Sequence, residues 1–358
     1  MERERIARVA ERLKQMGLYQ TLISAPASMF YLTGKWIYPG ERMVALYLND
    51  RGEVTLFANR LFALNGTVDI PLVEYDDTED CVAILAEHLM PGEIGIDKDW
   101  PSRFTIRLME ARSDLTPVIG SPCVDQTRLY KDAKELQWMR ESSLKNDETT
   151  LRTIAQLKAG LTESQVADIY LKESAALGSS GPSFEPLICF GANCAEPHHV
   201  TDQSVLKSGD SVIIDVGLTW QRYCSDMTRT VFLGKATDEQ KRVYDLVKAA
   251  NAAGRAAVHP GVPMKEIDRA ARKVIEDAGY GKYFIHRTGH GIGLEVHEFP
   301  DVSASSDAIA MPGMCFSVEP GIYLPGRFGV RVEDLVAVTE DGCETLNKAP
   351  REMQEIEI

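Results

Sequence analysis

Four acids in this chain lie inside short apolar runs, where a carboxylate is out of place. Asp215 falls in GDSVIIDVG, Asp226 in YCSDMTRTV, Glu319 in GMCFSVEPG and Glu333 in GVRVEDLVAV. A single strand Asp is most often edge-exposed or paired with an Arg, because burying an unpaired carboxylate costs several kcal/mol. Four acids in matching places call for another partner, and a metal ion is the simplest way to gather them. The histidines point the same way. RTGHGIGLEVHE sets His290 between two glycines and His297 seven residues later, and AEPHHV adds His198 and His199 near the same point of the first half. Glycines beside His290 would let the backbone approach a ligand closely. HGIGLEVH reads as a turn entering a strand in which Gly293, Glu295 and His297 share a face. Four carboxylates and one imidazole form an oxygen-rich set that suits two divalent ions of the manganese, cobalt or iron type. Two such ions can activate a water and polarise a carbonyl, which is hydrolytic chemistry. A rival zinc site, Cys189-x4-Cys194-x3-His198, lacks a good finger spacing, and buried unliganded cysteines are the simpler reading.

The elements that must carry these residues form a repeat. GLTESQVADIYLKESAALG (160–178) and GVPMKEIDRAARKVIEDAG (261–279) match in length, end glycines and apolar spacing at an offset of 101. GDSVIIDVG matches GMCFSVEPG at an offset of 104, which sets Asp215 opposite Glu319. Each strand is followed by a second that holds another acid, Asp226 or Glu333. Thr162 with Gln165, and Thr237 with Gln240, form capping-box patterns that open helices. A preceding helix runs from Asp132 to about Leu157, with Leu136, Met139, Leu144, Leu151 and Ile154 as its expected buried stripe. Residues 1–127 alternate helices and strands instead. Ile6, Val9, Ala10 and Leu13 mark one helix face, and MVALYL, EVTLFA and EIGI read as strands. The expected class is α+β, with a small α/β domain over 1–127 and a duplicated unit over 128–358.

Composition narrows the function further. The chain has 358 residues and a net charge of −14, and both halves are acidic, so nucleic acid and anionic membrane are excluded as expected partners. No apolar run reaches membrane-spanning length, and the charged start MERERIARVAERLKQMG lacks the apolar core of a signal peptide. Seven scattered cysteines fit a reducing cytoplasm rather than a disulfide framework.

The motifs ICFGANCAEPHH, IIDVG, SDMTRT, RTGHGIGLEVHE, SVEPGIY and RVED resemble those of the pita-bread metallopeptidases. That family includes Xaa-Pro dipeptidase (prolidase), aminopeptidase P, methionine aminopeptidase and the metal-free creatinase. The resemblance covers essentially the whole chain. It implies a creatinase-like N-terminal domain followed by a pseudo-twofold pita-bread catalytic domain. It also implies Asp215, Asp226, His290, Glu319 and Glu333 as ligands of two divalent ions per subunit, manganese first, with cobalt, iron or zinc as alternatives. By the same resemblance Asp226 and Glu333 bridge the ions, Asp215 serves one of them, and His290 with Glu319 serves the other. His198 and His297 would contact substrate and steady the tetrahedral intermediate, Glu319 would carry the proton, and Arg331 would support the site. Creatinase and the non-catalytic, protein-binding relatives lack these ligands.

The short N-terminal domain and the segments FYLTG and PGER look like bacterial prolidases, which implies a cytoplasmic homodimer cleaving Xaa-Pro dipeptides. The alternative is an Xaa-Pro aminopeptidase acting on longer proline-containing peptides. One departure bears on that choice. Some prolidases carry an Arg just after the HE-x-P motif, where this chain has Asp301, so Arg287, or Arg42 from a second subunit, must be considered for the substrate carboxylate.

Overall fold

Short apolar runs separated by charged turns assemble, in the first third of the chain, into one six-stranded mixed sheet. The computed structural model describes residues 2–357, and the chain divides between Arg128 and Leu129 into two units. In the first, the strands run in the order Leu72–Tyr75, Val54–Asn59, Ala45–Asn49, Gln20–Ile23, Gly92–Ile96, Leu115–Ile119. Three of these strands answer to the runs MVALYL, EVTLFA and EIGI. Periodicity does not single out Gln20–Ile23, a central strand, because it is buried along its whole length and shows no alternation. The helix Glu2–Gln15 buries Ile6, Val9, Ala10 and Leu13, as their spacing requires. Leu22, Phe57, Ile94, Phe104 and Leu108 lie at the centre of this unit's core.

The second unit repeats one plan twice. Helices Ala133–Ile154 and Glu163–Ala176 precede an antiparallel sheet of Leu187–Phe190, Ser211–Val216 and Met227–Leu233, with Glu355–Ile356 on its edge. Helices Asp238–Ala256 and Met264–Asp277 precede a second sheet, ordered Glu298–Val302, Gly289–Gly291, Cys315–Val318, Asp334–Val338, Cys343–Thr345. The bridge Thr162↔Val205 in one half recurs as Pro263↔Ile309 in the other. Both expected capping boxes form, and Asp132 with Glu135 makes a third.

A paired polar device locks the strands. Asn146, fully buried on the first helix, donates to the carbonyl of Val216 at 2.8 Å, and Asn251 on the matching helix donates to Val318 at 2.8 Å. Each carbonyl belongs to a residue next to an expected metal ligand. These bonds correct one expectation. Helix Ala133–Ile154 buries Met139 and Ile154, but Leu144 and Leu151 are exposed, and its inner face carries Ser142, Ser143, Asn146, Asp147, Thr149 and Thr150. Ser142 and Asn146 donate to the carbonyls of Leu218, Tyr223 and Val216, and Asp147 accepts from Lys348 and Ala349 N–H groups, so backbone groups outside the helix draw these polar side chains to the inner face.

Removing either amide leaves a buried carbonyl short of a donor. Asn146→Ala and Asn251→Ala should each cost about 1–3 kcal/mol, read as a fall in Tm of about 2–4 °C per kcal/mol. Unchanged melting in both variants would mean that the helices do not hold the strands in this way.

Candidate metal centre

Antiparallel pairing explains how distant acids meet. Asp215 lies near the end of Ser211–Val216, and Asp226 immediately precedes the partner strand Met227–Leu233, with Asp215 opposite Thr228 in register. Glu319 follows Cys315–Val318, and Glu333 precedes its partner Asp334–Val338, with Val318 opposite Asp334. The end of one strand lies beside the start of its neighbour, so each half delivers two acids to one rim. His290 arrives from Gly289–Gly291, which pairs with Cys315–Val318 through Gly291 and Phe316.

These residues converge on one cleft of about 350 Å³. Asp226, His290 and Glu333 are buried, with ligating atoms close enough to share one cation. His290 Nε2 stands 3.4 Å from Glu319 and 3.7 Å from Asp226. Its Nδ1 meets the carbonyl of Gly291 at 3.1 Å and must be the donor there, so Nε2 keeps its lone pair for a cation. Burial, then the neighbouring His297, lowers the His290 pKa to about 3, which keeps the ring neutral and able to ligate.

The acids show the opposite shift. Burial raises Asp226 and Glu333 well above the ordinary carboxylate range, reinforced by each one's acidic neighbours. Burial likewise raises Glu319 to about 7, although Arg331 opposes it. Asp226 Oδ1 and Glu333 Oε1 are buried and lack a hydrogen-bond partner among the described residues. Two bare carboxylate oxygens in a cleft that also holds a neutral imidazole fit a divalent cation, whose charge would supply what the protein's own donors do not.

The remaining oxygens are held in place. Thr228 Oγ1 donates to Glu333 Oε2 at 2.7 Å and accepts from Arg331 Nε at 3.0 Å. Arg331 pairs with Asp215 and donates to the Tyr323 hydroxyl at 2.9 Å. That hydroxyl meets His286 Nε2 at 2.8 Å, while His286 Nδ1 donates to the Arg287 carbonyl at 2.6 Å. Arg229, three residues beyond Asp226, donates to the Glu333 and Thr228 carbonyls and to Asp334, so it fixes backbone on both sides of the rim.

His198 and His297 stand exposed on the cleft, the latter's ring 4.2 Å from that of His290. Three expectations fail here. Residues 292–297 are bends rather than strand: the Glu298 carboxylate accepts from the Leu294 and Glu295 N–H groups and pairs with buried Lys131 at 3.0 Å, which curls the segment. The glycines beside His290 make room for neighbouring strands rather than for a ligand. A Cβ at Gly289 would lie 1.9 Å from the Ser317 carbonyl oxygen, and one at Gly291 2.3 Å from that of Phe299. His199 turns away from the cleft and bonds Glu163 at 2.7 Å.

Glu163, His199 and Asp202 form a second group at ligating distance. It differs in one decisive respect. The Glu163 carboxylate already accepts from Phe190 N–H, Asn193 Nδ2, His199 Nε2 and Asp202 N–H, so its acceptor sites are filled. The rival Cys189–Cys194–His198 grouping does not assemble either. Both thiols sit in an apolar pocket with Ile213, and Cys194 donates to the Cys189 carbonyl. Sequence reasoning passes over Glu163, Glu298, His286 and Tyr323, which lack a local pattern of their own; only the Thr-Glu start of a helix marks Glu163. A larger groove of about 470 Å³ in the N-terminal unit is open, and its lining acids include none that is buried.

Comparisons with known proteins match both units of the chain. Metallopeptidase family M24 matches residues 137–340, and the creatinase/prolidase N-terminal domain matches residues 5–130. An uncharacterized peptidase of Staphylococcus saprophyticus is 35 % identical over 353 residues, covering 96 % of this chain and 98 % of its own. The crystal structure of a dipeptidase from Pyrococcus horikoshii matches with a TM-score of 0.95 at 34 % identity, covering 98 % of this chain and all of that one. A recombinant prolidase from Thermococcus sibiricus matches with a TM-score of 0.95 at 33 % identity over 99 % of both chains.

A carboxyl whose pKa is raised on folding binds its proton more tightly in the folded chain than in the unfolded one. Its stabilising contribution is complete below the ordinary Glu value and is lost as pH rises through about 7 for Glu319. A cation must displace that proton. Titrating the metal-free protein with manganese at pH 6 should therefore release protons, seen calorimetrically as a heat that depends on the buffer's ionisation enthalpy. A heat independent of buffer would show the carboxyls already ionised.

Proposed function

We propose, on the premise that this chain belongs to metallopeptidase family M24, that it hydrolyses the peptide bond between an N-terminal residue and proline in Xaa-Pro dipeptides. The observation that carries this reading is the pair of bare buried carboxylate oxygens, on Asp226 and Glu333, in a substrate-sized cleft that also holds a neutral His290. In this reading Asp215, Asp226, His290, Glu319 and Glu333 hold two divalent ions, manganese first among cobalt, iron and zinc. When bound, such ions acidify a water and polarise a carbonyl.

The chain's own groups then have separate tasks. Glu319 faces the cleft and carries a proton between the attacking water and the leaving nitrogen. His198 and His297 donate hydrogen bonds to the oxygen that gains charge in the transition state. Arg331 holds Asp215 in position. A proline nitrogen has no N–H to offer in a peptide, so recognition must come from the ring rather than from a backbone clamp. Phe184, Leu187, Pro197 and Val296 give the cleft the apolar wall that a pyrrolidine ring needs.

Arg287 lines the same cleft and is the group we assign to the free carboxylate of a dipeptide. Arg42 suits the task less well, because it is held by two hydrogen bonds to Asp77. Arg287 is itself paired with Asp301, and that engagement favours the second reading, an aminopeptidase that accepts longer peptides. We further read the protein as a cytoplasmic homodimer with catalysis in residues 128–358 and a creatinase-like domain over 1–127. Its seven free cysteines support the compartment, and no described helix is long and apolar enough to cross a membrane.

Hydrolysis of Ala-Pro and Ala-Pro-Ala, after chelation and again after manganese is added, separates the two readings. Cleavage of Ala-Pro restored by metal supports the dipeptidase; cleavage of the tripeptide alone supports the aminopeptidase; neither under any metal defeats both. Asp226→Asn and Glu333→Gln should each lower kcat/KM by about 100-fold or more. Arg287→Ala should raise KM for Ala-Pro about 10-fold or more with little change in kcat, whereas Arg42→Ala should leave KM unchanged.

A further inference from the structure

Glu163 occupies the first turn of helix Glu163–Ala176 and is fully buried. The repeat makes it conspicuous, because the matching position of the second half is Met264, also fully buried and packed among apolar neighbours. The fold therefore accepts an apolar side chain at this place, and a buried carboxylate there needs a separate reason. Its hydrogen bonds supply one. Oε1 accepts from Phe190 N–H at 2.8 Å and Asn193 Nδ2 at 2.9 Å, and Oε2 from His199 Nε2 at 2.7 Å and Asp202 N–H at 3.1 Å. All four donors come from the segment 190–202, which crosses from strand Leu187–Phe190 toward strand Ser211–Val216 and carries His198 onto the cleft.

The backbone there is also tied by His199 N–H on the Glu196 carbonyl at 3.0 Å and by Thr201 Oγ1, which accepts from Ile188 N–H at 2.8 Å and donates to the Pro186 carbonyl at 2.9 Å, so what Glu163 adds is a hold on the His199 ring. His198 and Val200 are exposed, and between them only His199 turns inward, to Glu163. Pro197 and His198 form a tight turn closed by the His199 N–H on the Glu196 carbonyl at 3.0 Å, so His198 sits in the turn and His199 at its end. Holding the His199 ring against a buried anion therefore turns the His198 ring outward, into the cleft that Asp215 also lines. Glu298 does the equivalent for His297 by accepting from Leu294 and Glu295 N–H groups.

We propose that Glu163 is a positioning residue for the reaction, acting through His199 to aim His198 at the substrate carbonyl. This rests on the peptidase reading. Glu163→Gln keeps the size and one accepting oxygen, but sets an amide N–H₂ against the Asp202 N–H and the His199 ring. Small displacements of a transition-state donor carry large rate penalties. Glu163→Gln should therefore lower kcat for the peptide substrate about 10- to 100-fold with KM little changed, and His199→Gln should reproduce the loss.

A double-mutant cycle with His198→Ala reads the proposal directly. Once His198 is absent, Glu163→Gln should cost less than about twofold further, with metal content equal to that of the unmutated protein. The same rate penalty in both backgrounds, or a parallel loss of bound metal in Glu163→Gln, overturns it. A second readout does not depend on turnover or on full stability. Imidazole ¹H–¹⁵N correlation spectra of the zinc-loaded protein should show the His199 Nε2–H signal lost and the His198 signals shifted in Glu163→Gln. Unmoved His198 signals overturn the proposal. If the unmutated protein cleaves neither peptide, the peptidase reading falls, and the spectra still decide whether Glu163 aims His198.

Discussion

Like charges forced together away from water set the terms for the catalytic unit. Asp226 and Glu333 each bury one oxygen that no donor among the described residues reaches, and Asp215 and Glu319 crowd against them. A carboxylate in that position either keeps a proton or finds a cation. The upward pKa shifts at Asp226, Glu319 and Glu333 express the first state, and the bare oxygens prepare the second. Much of the surrounding polar structure serves to keep these acids aimed at one another. Thr228 takes up Glu333 Oε2 and Arg331 takes up Asp215, with Tyr323 bonded to Arg331, while Asp226 Oδ1 and Glu333 Oε1 stay bare.

The duplicated architecture answers a geometric problem. One antiparallel pair of strands can bring two acids to a rim, since the end of one strand lies beside the start of the next. A second copy of the same pair brings two more. The two copies are also locked alike, by Asn146 on Val216 and Asn251 on Val318. Where the halves differ, function accounts for the difference. Met264 fills a core position in one half, and the matching Glu163 in the other half organises the segment that carries His198.

Much of this is legible in the residues. An acid within an apolar run is self-announcing, and the constant offset between matching runs exposes the repeat from residue types alone. Helix starts are legible because capping is local, as at Thr162 and Thr237. The departures share one physical origin. Periodicity places Leu144 and Leu151 inside, yet backbone carbonyls outside the helix draw Ser142 and Asn146 to its inner face. Residues 292–297 have a strand-like spacing, yet the Glu298 carboxylate captures two of their N–H groups. His199 groups with His198 by adjacency, yet Glu163 takes the His199 ring while His198 lines the cleft.

The sequence by itself determined the class of chemistry, since residue types set ligand hardness and the repeat set how many acids could gather. It determined the fold class for a similar reason: the periods of helix and strand are properties of consecutive residues. Only the tertiary structure decided which oxygens are left bare, which histidine faces the cleft, and which buried acid is already satisfied. Glu163 and Glu333 are both buried glutamates at the border of a regular element, and the residues around them do not say which one is already satisfied. The difference is how many hydrogen-bond donors come within about 3 Å from elsewhere in the chain, and long-range packing alone fixes that.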